Sequence, residues 1–386
     1  MAKKVILSLI LTSFFLLLAP RAYAIEYPLN KPNNKVGIHI LFDTELPQAA
    51  ALINSNGGDW GYVTIPVQVG DKDLVKWQKF MDAAKKSHVI PIIRLSTEGD
   101  PFNTQVWRKP THADIIDFAN FLDSLDWPVK NRYVILFNEV NRGDEWGGGV
   151  NAAEYADLLS FGVTVFKSKT PDFFLISAGL DNAAPNRFPL YMNQYDYMRR
   201  MNDAVPGIFN QVDGLASHSY PNPAFAQPPN TTSLMGTGSF IFERKLAKTL
   251  SQKDLPVFIT ETGWSTTAVS PEKQATYYQQ AFSTIWNDPN VVAVAPFLLQ
   301  GSGGPFEKFS LLDGAAHPTK PYDAIRNLTK VKGAPTLSAT VLAAETHRSD
   351  NPTGTPKVNF SKKTIKKEPY LPMSFVIEIY KWLVKI

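Results

Sequence analysis

The sequence predicts an α/β fold in which eight parallel strands alternate with helices and close into a barrel. Eight apolar runs rich in β-branched and aromatic residues recur, with starts 25 to 44 residues apart. Stretches at helical period fill most of the intervals between them. Most runs are apolar throughout, which is typical of parallel strands covered on both faces. Eight such units within about 300 residues match a (β/α)8 TIM barrel, and the alternative is an open, doubly wound sheet, since periodicity does not show closure.

The predicted elements follow one another regularly along the chain. The strand-like runs are residues 36–41, 61–67, 89–95, 133–137, 173–178, 212–217, 256–260 and 291–299. The clearest helical stretches between them are residues 73–86, 111–124, 152–167 and 270–286. The regular spacing predicts one catalytic domain over residues 25–330 rather than two or three domains.

The first 24 residues have the pattern of a secretory signal peptide. Lys3 and Lys4 precede the apolar run 5–18, and the small residues Ala22 and Ala24 follow it. We expect cleavage after Ala24 and a mature protein that is secreted or otherwise extracytoplasmic. The apolar run is about 14 residues long, which is short for a bilayer span, so an uncleaved anchor is the alternative.

Composition excludes several classes of protein. The chain has no cysteine, which excludes a disulfide framework and thiolate metal sites. The formal net charge of +4 is uneven: the leader carries +3 and residues 331–386 carry +5, so residues 25–330 carry −4. This acidic body has no electrostatic surface for nucleic acid, and we expect a monomer.

Two glutamates, Glu139 and Glu261, each end an apolar strand-like run. Charged side chains rarely follow several buried positions unless a site requires them. In a βα barrel the carboxyl ends of the strands surround the active site, so the two carboxylates would converge there. A pair of carboxylates held on separate rigid strands is the least that an enzyme needs to break a glycosidic bond.

The segments around these glutamates resemble those of clan A glycoside hydrolases, the retaining barrel glycosidases, over roughly residues 33–327. Asn138-Glu139 closes the fourth run, and Glu261-Thr-Gly-Trp264 closes the seventh. The second segment is closest to that of the family 17 β-1,3-glucanases, although Ser265 stands where a proline is common. The resemblance implies that Glu139 is the general acid/base and Glu261 the nucleophile. In a retaining enzyme the two carboxyls lie about 5 to 5.5 Å apart, and one must be protonated while the other is ionised.

Four further polar residues at strand ends are candidate substrate-binding residues by this resemblance. Asn138 would donate to the sugar 2-hydroxyl, Tyr220 would orient Glu261, and His218 would contact Glu139 or substrate. Arg94 would pair with Glu261. Each could instead be structural, as a turn residue, a hydrogen-bonded scaffold histidine or a bridge to a loop carboxylate. His39, inside the first run, is expected in the core or behind the site.

Aromatic residues in the loops are candidates for stacking on a sugar ring. Trp264 is the best placed, and Trp60, Trp146 and Phe306 are further candidates, each with loop packing as the alternative. The end of the eighth run has Phe297 where many clan members carry a tryptophan.

The sequence contains no signal for a metal or another cofactor. Its six histidines are scattered, without a His-Glu-x-x-His pattern, and the proposed chemistry requires no cofactor. The glycine-rich loop 141–149 lacks the lysine and spacing of a phosphate-binding loop. We expect Asp144 and Glu145 in this loop to be solvated.

We therefore predict a secreted retaining glycoside hydrolase acting on β-linked poly- or oligosaccharides, with carbohydrate as its partner. The alternatives are a catalytically inactive carbohydrate-binding barrel and a transglycosidase. The residues do not distinguish internal from terminal cleavage, or one sugar from another.

The C-terminal region is predicted to be separate from the barrel. Residues 331–370 are rich in Ser, Thr, Pro and Lys, which predicts a flexible basic linker. Residues 371–386 turn apolar, with a narrow polar face on a helix. We expect weak contact of this amphipathic segment with a membrane surface, and the alternative is a helix docked on the barrel.

Overall fold

The computed structural model describes residues 25–301 and 303–338. Within these residues the eight strands are β1 (Gly37–His39), β2 (Gly61–Gln68), β3 (Val89–Ser96), β4 (Arg132–Ile135), β5 (Phe173–Ile176), β6 (Leu215–His218), β7 (Val257–Thr262) and β8 (Val291–Pro296). The α-helices of the described residues are α1 (Leu46–Ile53), α2 (Leu74–Lys86), α3 (His112–Asp123), α4 (Ala152–Lys169), α5 (Gln194–Ala204), α6 (Ile208–Gln211), α7 (Ser239–Ser251), α8 (Pro271–Ser283) and α9 (Lys320–Arg326). Short 3₁₀ turns lie at Pro28–Asn30, Asp43–Glu45, Ile285–Asn287 and Glu307–Phe309.

The strands are parallel and close into a barrel. Strands β1 to β5 pair in chain order, and β6 to β8 form a second run. Backbone pairing of Val36 with Val294 joins β1 to β8, and pairing of Ile176 with Gly214 joins β5 to β6. The prediction of a TIM barrel is confirmed, and the open doubly wound sheet is wrong because both seams are bridged.

Side chains fill the inside of the barrel. Tyr133 packs its ring 5.0 Å from that of Phe174 and 5.6 Å from that of Phe258, with aliphatic residues around them. A larger apolar cluster lies between the strands and the surrounding helices. The barrel is therefore a packed core, and any site must lie at one of its two ends.

The predicted helices begin where capping side chains occur in the sequence. Asp73 accepts from two backbone N–H groups at the start of α2, and Asn151 does the same for α4. Thr111 and Asp114 form a reciprocal capping box at the start of α3. Because a cap satisfies N–H groups that the helix leaves free, these residues determine where each helix starts after its loop.

The last described residues belong to the barrel domain, which corrects the predicted start of the flexible linker at residue 331. The Gly333 N–H donates to the Asp59 carbonyl, and the Lys130 N–H donates to the Thr336 carbonyl. Val129 also pairs with Leu337. Residues 331–338 therefore lie across the amino-terminal end of the barrel beside the first described residues.

The predicted signal peptide, the rest of the linker and the amphipathic segment 371–386 lie outside the described residues. Among the residues that the structure describes, no helix is both long and apolar enough to cross a bilayer.

A buried polar network behind β6 includes a glutamate. Glu243 on α7 is 2% exposed, and its Oε1 accepts from Ser217 Oγ at 2.9 Å. Ser217 Oγ lies 2.8 Å from Ser219 Oγ, so the network holds the residues on both sides of His218. Burial raises the pKa of Glu243 from 4.5 to about 7, against the opposing effect of hydrogen bonds from Ser239 and Ser217.

This raised pKa predicts a pH-dependent stability that Glu243→Gln removes. The folded state disfavours the ionised form, so stability is lost as pH rises from 4.5 to about 7 and stays level above that. The free energy of unfolding should fall more in the wild type than in the variant between pH 4.5 and 8, by up to about 3 kcal/mol. Urea denaturation at both pH values measures it. Glu307→Gln, at an exposed position, is the control and should behave like the wild type. Equal falls in wild type and Glu243→Gln would contradict the role of Glu243.

Candidate active site

The carboxyl ends of the strands surround an open cleft with a volume of about 460 Å³. Polar side chains from several strand ends reach its floor, whereas aromatic side chains from the following loops form much of its wall. Its lining includes Arg94, Asn138, Glu139, Tyr220, Glu261, Phe102, Trp107, Phe225, Phe297, Phe306 and Phe309. Clefts of roughly 300 to 1,000 Å³ with a few convergent polar groups are typical of small-molecule sites.

Glu261 ends β7 and is 6% exposed. Arg94 Nη1 donates to its Oε1 at 2.7 Å, and Tyr220 Oη donates to its Oε2 at 3.1 Å. The ring of His39, which is fully buried, places Nε2 3.6 Å from the same Oε1. Burial and the nearby charges of Arg94 and His218 hold the pKa of His39 well below its ordinary value, so His39 is neutral. Arg94 and Tyr220 hold the Glu261 carboxyl group in a fixed orientation.

Glu139 lies just beyond β4, where the backbone is strained. Glu139 has φ +36° and Phe137 has φ +71°, conformations that non-glycine residues rarely adopt. The Glu139 N–H donates to the Gly179 carbonyl at 2.9 Å. A Cβ at Gly179 would lie 2.2 Å from the ring of His218, so only glycine permits this approach. Strain of this kind often marks a functional site, because the surrounding structure must hold it in place.

His218 links the two carboxylates. Its Nδ1 lies 3.0 Å from Oε1 of Glu139 and 3.8 Å from Oε2 of Glu261. One oxygen of Glu139, one of Glu261 and one ring nitrogen of His218 all lie within 4.8 Å of one another. This approach of their nearest oxygens fits the roughly 5 to 5.5 Å between the carboxyls of a retaining glycosidase better than the roughly 6.5 to 9.5 Å of an inverting one.

The charges of this cluster shift the pKa values of His218 and Glu139 in opposite directions. Burial favours neutral His218, but the negative charges of Glu261 and Glu139 and the hydrogen bond to Glu139 raise its pKa. Burial also favours neutral Glu139, but the hydrogen bond from His218 and the charge of Arg142 hold the pKa of Glu139 below its ordinary value. Both shifts favour an ion pair in which Glu139 and His218 share one proton.

Asn138 is held by the same arginine that holds Glu261. Arg94 Nη1 donates to Oδ1 of Asn138 at 2.6 Å. This contact fixes which end of the amide group accepts, and among the described residues none accepts from its Nδ2. The amide N–H groups are therefore free to donate to a ligand in the cleft.

Sequence reasoning missed the charged loop after Glu139. Arg142 Nη1 lies 3.5 Å from Oε2 of Glu139, and Arg142 also pairs with the partly exposed Asp144. Glu145, also expected in solvent, is half-buried and lines the cleft. Burial and the charge of Glu139 raise the pKa of Glu145 to about 8. The arginine three residues after Glu139 is the signal that could have identified this cluster.

Three tryptophans that the sequence suggested for sugar stacking lie elsewhere. Trp264 is 1% exposed, donates from Nε1 to the Gln227 carbonyl, and packs against Tyr278 and Trp286. The prediction that Trp264 binds substrate is wrong, because the turn after Glu261 directs its ring into the core. Trp146 is also 1% exposed, and Trp60 stacks on His88 at the opposite end of the barrel. Phe306 does line the cleft.

Glu139, His218 and Glu261 are also spaced as metal ligands could be. However, Arg94 and Arg142 lie 2.7 and 3.5 Å from the same two carboxylates and already supply positive charge. A divalent cation would meet repulsion from both guanidinium groups. The donor set fits proton transfer better than metal coordination.

No protein-family profile matches the chain, and no curated protein matches its sequence. Solved structures do match its fold. A family 39 glycoside hydrolase from the gut symbiont Bacteroides cellulosilyticus WH2 superimposes with a TM-score of 0.53 at 17% identity, over 78% of this chain and 64% of that one. A GH5_18 protein from Bifidobacterium longum subsp. infantis gives 0.55 at 11% identity, over 76% and 78% of the two chains. GH5_18 from Streptomyces cattleya, in complex with GlcNAc, gives 0.54 at 15% identity, over 84% and 83%.

These solved structures share the TIM-barrel fold with this chain. Identities below 25% establish the barrel and not the substrate. The chain spans less than two thirds of the family 39 enzyme's length. The predicted closeness to family 17 is not supported by these structures.

The ion pair predicts how His218 titrates. Its imidazolium should lose its proton above pH 6.5, because both carboxylates stabilise the charged ring. Glu139→Gln removes one of these charges and should lower that pKa by about one unit. Histidine side-chain NMR measures the transition, with the exposed His317 as an internal control that should not move. A His218 transition that is the same in the wild type and Glu139→Gln would contradict the ion pair.

Proposed function

We propose that this protein is a retaining glycoside hydrolase with Glu261 as nucleophile and Glu139 as general acid/base. The observation that carries the proposal is the approach of the two carboxylates to within 4.8 Å, on the ends of β4 and β7. This spacing suits direct attack by a carboxylate, as in retaining enzymes, whose carboxyls lie about 5 to 5.5 Å apart. The glycosidase relatives of the fold add independent support.

The chemistry follows from the contacts of each carboxylate. Glu261, fixed by Arg94 and Tyr220, attacks the anomeric carbon as the glycosidic C–O bond breaks. The proton shared by Glu139 and His218 passes through Glu139 to the leaving oxygen, which forms the alcohol product. Glu139 then removes a proton from water as that water's oxygen attacks the anomeric carbon and releases Glu261. Two displacements give net retention of configuration.

We propose β-linked poly- or oligosaccharides as the substrates. The supporting feature is a wall of partly buried aromatic side chains on the loops after β3, β6 and β8. Phe102, Phe225 and Phe306 suit contact with the apolar faces of pyranose rings. Asn138 would donate to the 2-hydroxyl of the sugar bound next to Glu261.

A transglycosidase would use the same first step and would differ only in whether water or a sugar accepts the glycosyl group. An inactive carbohydrate-binding barrel is disfavoured, because both glutamates line the cleft and each is held by the side chain of a basic residue. Secretion and surface contact through residues 371–386 remain predictions from the sequence.

Substitution of either glutamate should abolish turnover, and azide should distinguish the two roles. On β-glycosides, azide can replace the nucleophile of Glu261→Ala and give an α-glycosyl azide. With Glu139→Ala and an activated aryl glycoside it should intercept the glycosyl-enzyme and give the β-azide. A panel of aryl glycosides, β-glucans, mannan, xylan and galactan identifies the substrate, and NMR identifies the azide anomer.

Glu272→Ala, at an exposed position on α8, is the matched control and should keep wild-type activity. A near-normal rate for either active-site variant on an unactivated substrate would show that the assignment of that glutamate is wrong.

A further inference from the structure

Arg142 lies three residues after Glu139, and its side chain faces three carboxylates. Its backbone N–H donates to the Glu139 carbonyl at 2.8 Å, so one turn positions both residues. Nε and Nη2 donate to Asp144 at 3.1 and 2.7 Å. Nη1 lies 3.5 Å from Oε2 of Glu139 and 3.4 Å from Oδ2 of Asp181. The two-point contact with Asp144 fixes the plane of the guanidinium, and Nη1 is left between Glu139 and Asp181.

Glu139 therefore has a different cation at each of its oxygens. His218 lies at Oε1 and can gain or lose its proton, whereas Arg142 lies near Oε2 and stays charged throughout the working pH range. A permanent cation favours the carboxylate, which Glu139 needs as a base, and opposes the carboxylic acid, which it needs as an acid. Asp181 offsets part of the charge of Arg142, because both carboxylates approach the same Nη1.

We propose that Arg142 is a positioning residue that holds Oε2 of Glu139 and, balanced by Asp181, sets how readily Glu139 exchanges its proton. The proposal rests on the proposed role of Glu139 as general acid/base. Besides Arg142 and Asp181, Glu145 of the loop after β4 acts on Glu139 by its charge, whereas Asp144 of the same loop pairs with Arg142. The strand ends contribute Arg94 from β3, His218 and Tyr220 from β6, and Glu261 from β7.

The pH dependence of kcat/KM tests the proposal in the full chain on one aryl glycoside. The basic limb of that profile reports loss of the shared proton of Glu139 and His218. Arg142→Gln removes a cation, so the limb should move up by about one pH unit. Asp181→Asn removes an anion, so that Nη1 of Arg142 acts on Glu139 alone. The basic limb should therefore move to lower pH by about half a pH unit. Arg142→Lys keeps the charge and should leave the limb near its wild-type position.

The opposite signs separate this role from a structural one. Arg142→Gln and Asp181→Asn both remove the same link between two loops. If Arg142 only ties these loops together, both variants should have a lower melting temperature. The basic limbs of their pH profiles should then stay in place or move in the same direction. That result would overturn the proposal.

A readout without turnover separates failure of the two proposals. If the wild type cleaves no glycoside, the proposed function fails. The NMR transition of His218 should still move up in Arg142→Gln and down in Asp181→Asn, because the same charges act on the shared proton. An unchanged His218 transition in both variants overturns the role of Arg142.

Discussion

Two carboxylates within 4.8 Å of each other in a partly buried cleft repel one another, and the barrel mouth is organised around that repulsion. Left unpaired, two such charges would neutralise by taking up protons. Instead each carboxylate meets its own set of donors. Arg94 and Tyr220 contact Glu261, whereas His218 and Arg142 contact Glu139. The separate partners keep the two glutamates chemically different, which double displacement requires.

The barrel makes this arrangement possible because its strands are rigid and their ends converge. The floor of the cleft combines residues from strands that are far apart in the sequence, because the strand ends converge in the barrel. These residues are Arg94, those around Glu139, His218 and Glu261. Close packing behind the floor then fixes each group. The serines beside His218 join the network of Glu243, and Gly179 leaves space for the imidazole ring. The positions of the reactive side chains thus depend on packed residues that take no part in the reaction.

The sequence could predict the barrel and the residues of the floor because both follow from local pattern. Apolar runs mark the strands, and the polar residue ending each run must face the mouth. The loops were not predictable in this way. Trp264 follows Glu261 directly, but the backbone turn sends its ring into the core. Glu145 and Asp144 resemble solvated loop residues, yet the loop folds back over the cleft and pairs Asp144 with Arg142. The pKa values of Glu139 and His218 depend on the distances between their charged groups, which the sequence does not give.

The most direct measurement of the central claim is capture of the covalent intermediate. An activated 2-deoxy-2-fluoro glycoside of a sugar that the enzyme cleaves should form a glycosyl-enzyme whose hydrolysis is slow, and peptide mass spectrometry should place the label on Glu261. The label should be absent from Glu261→Gln. A label on Glu139 or on another residue, or turnover with inverted configuration and no label, would contradict the account.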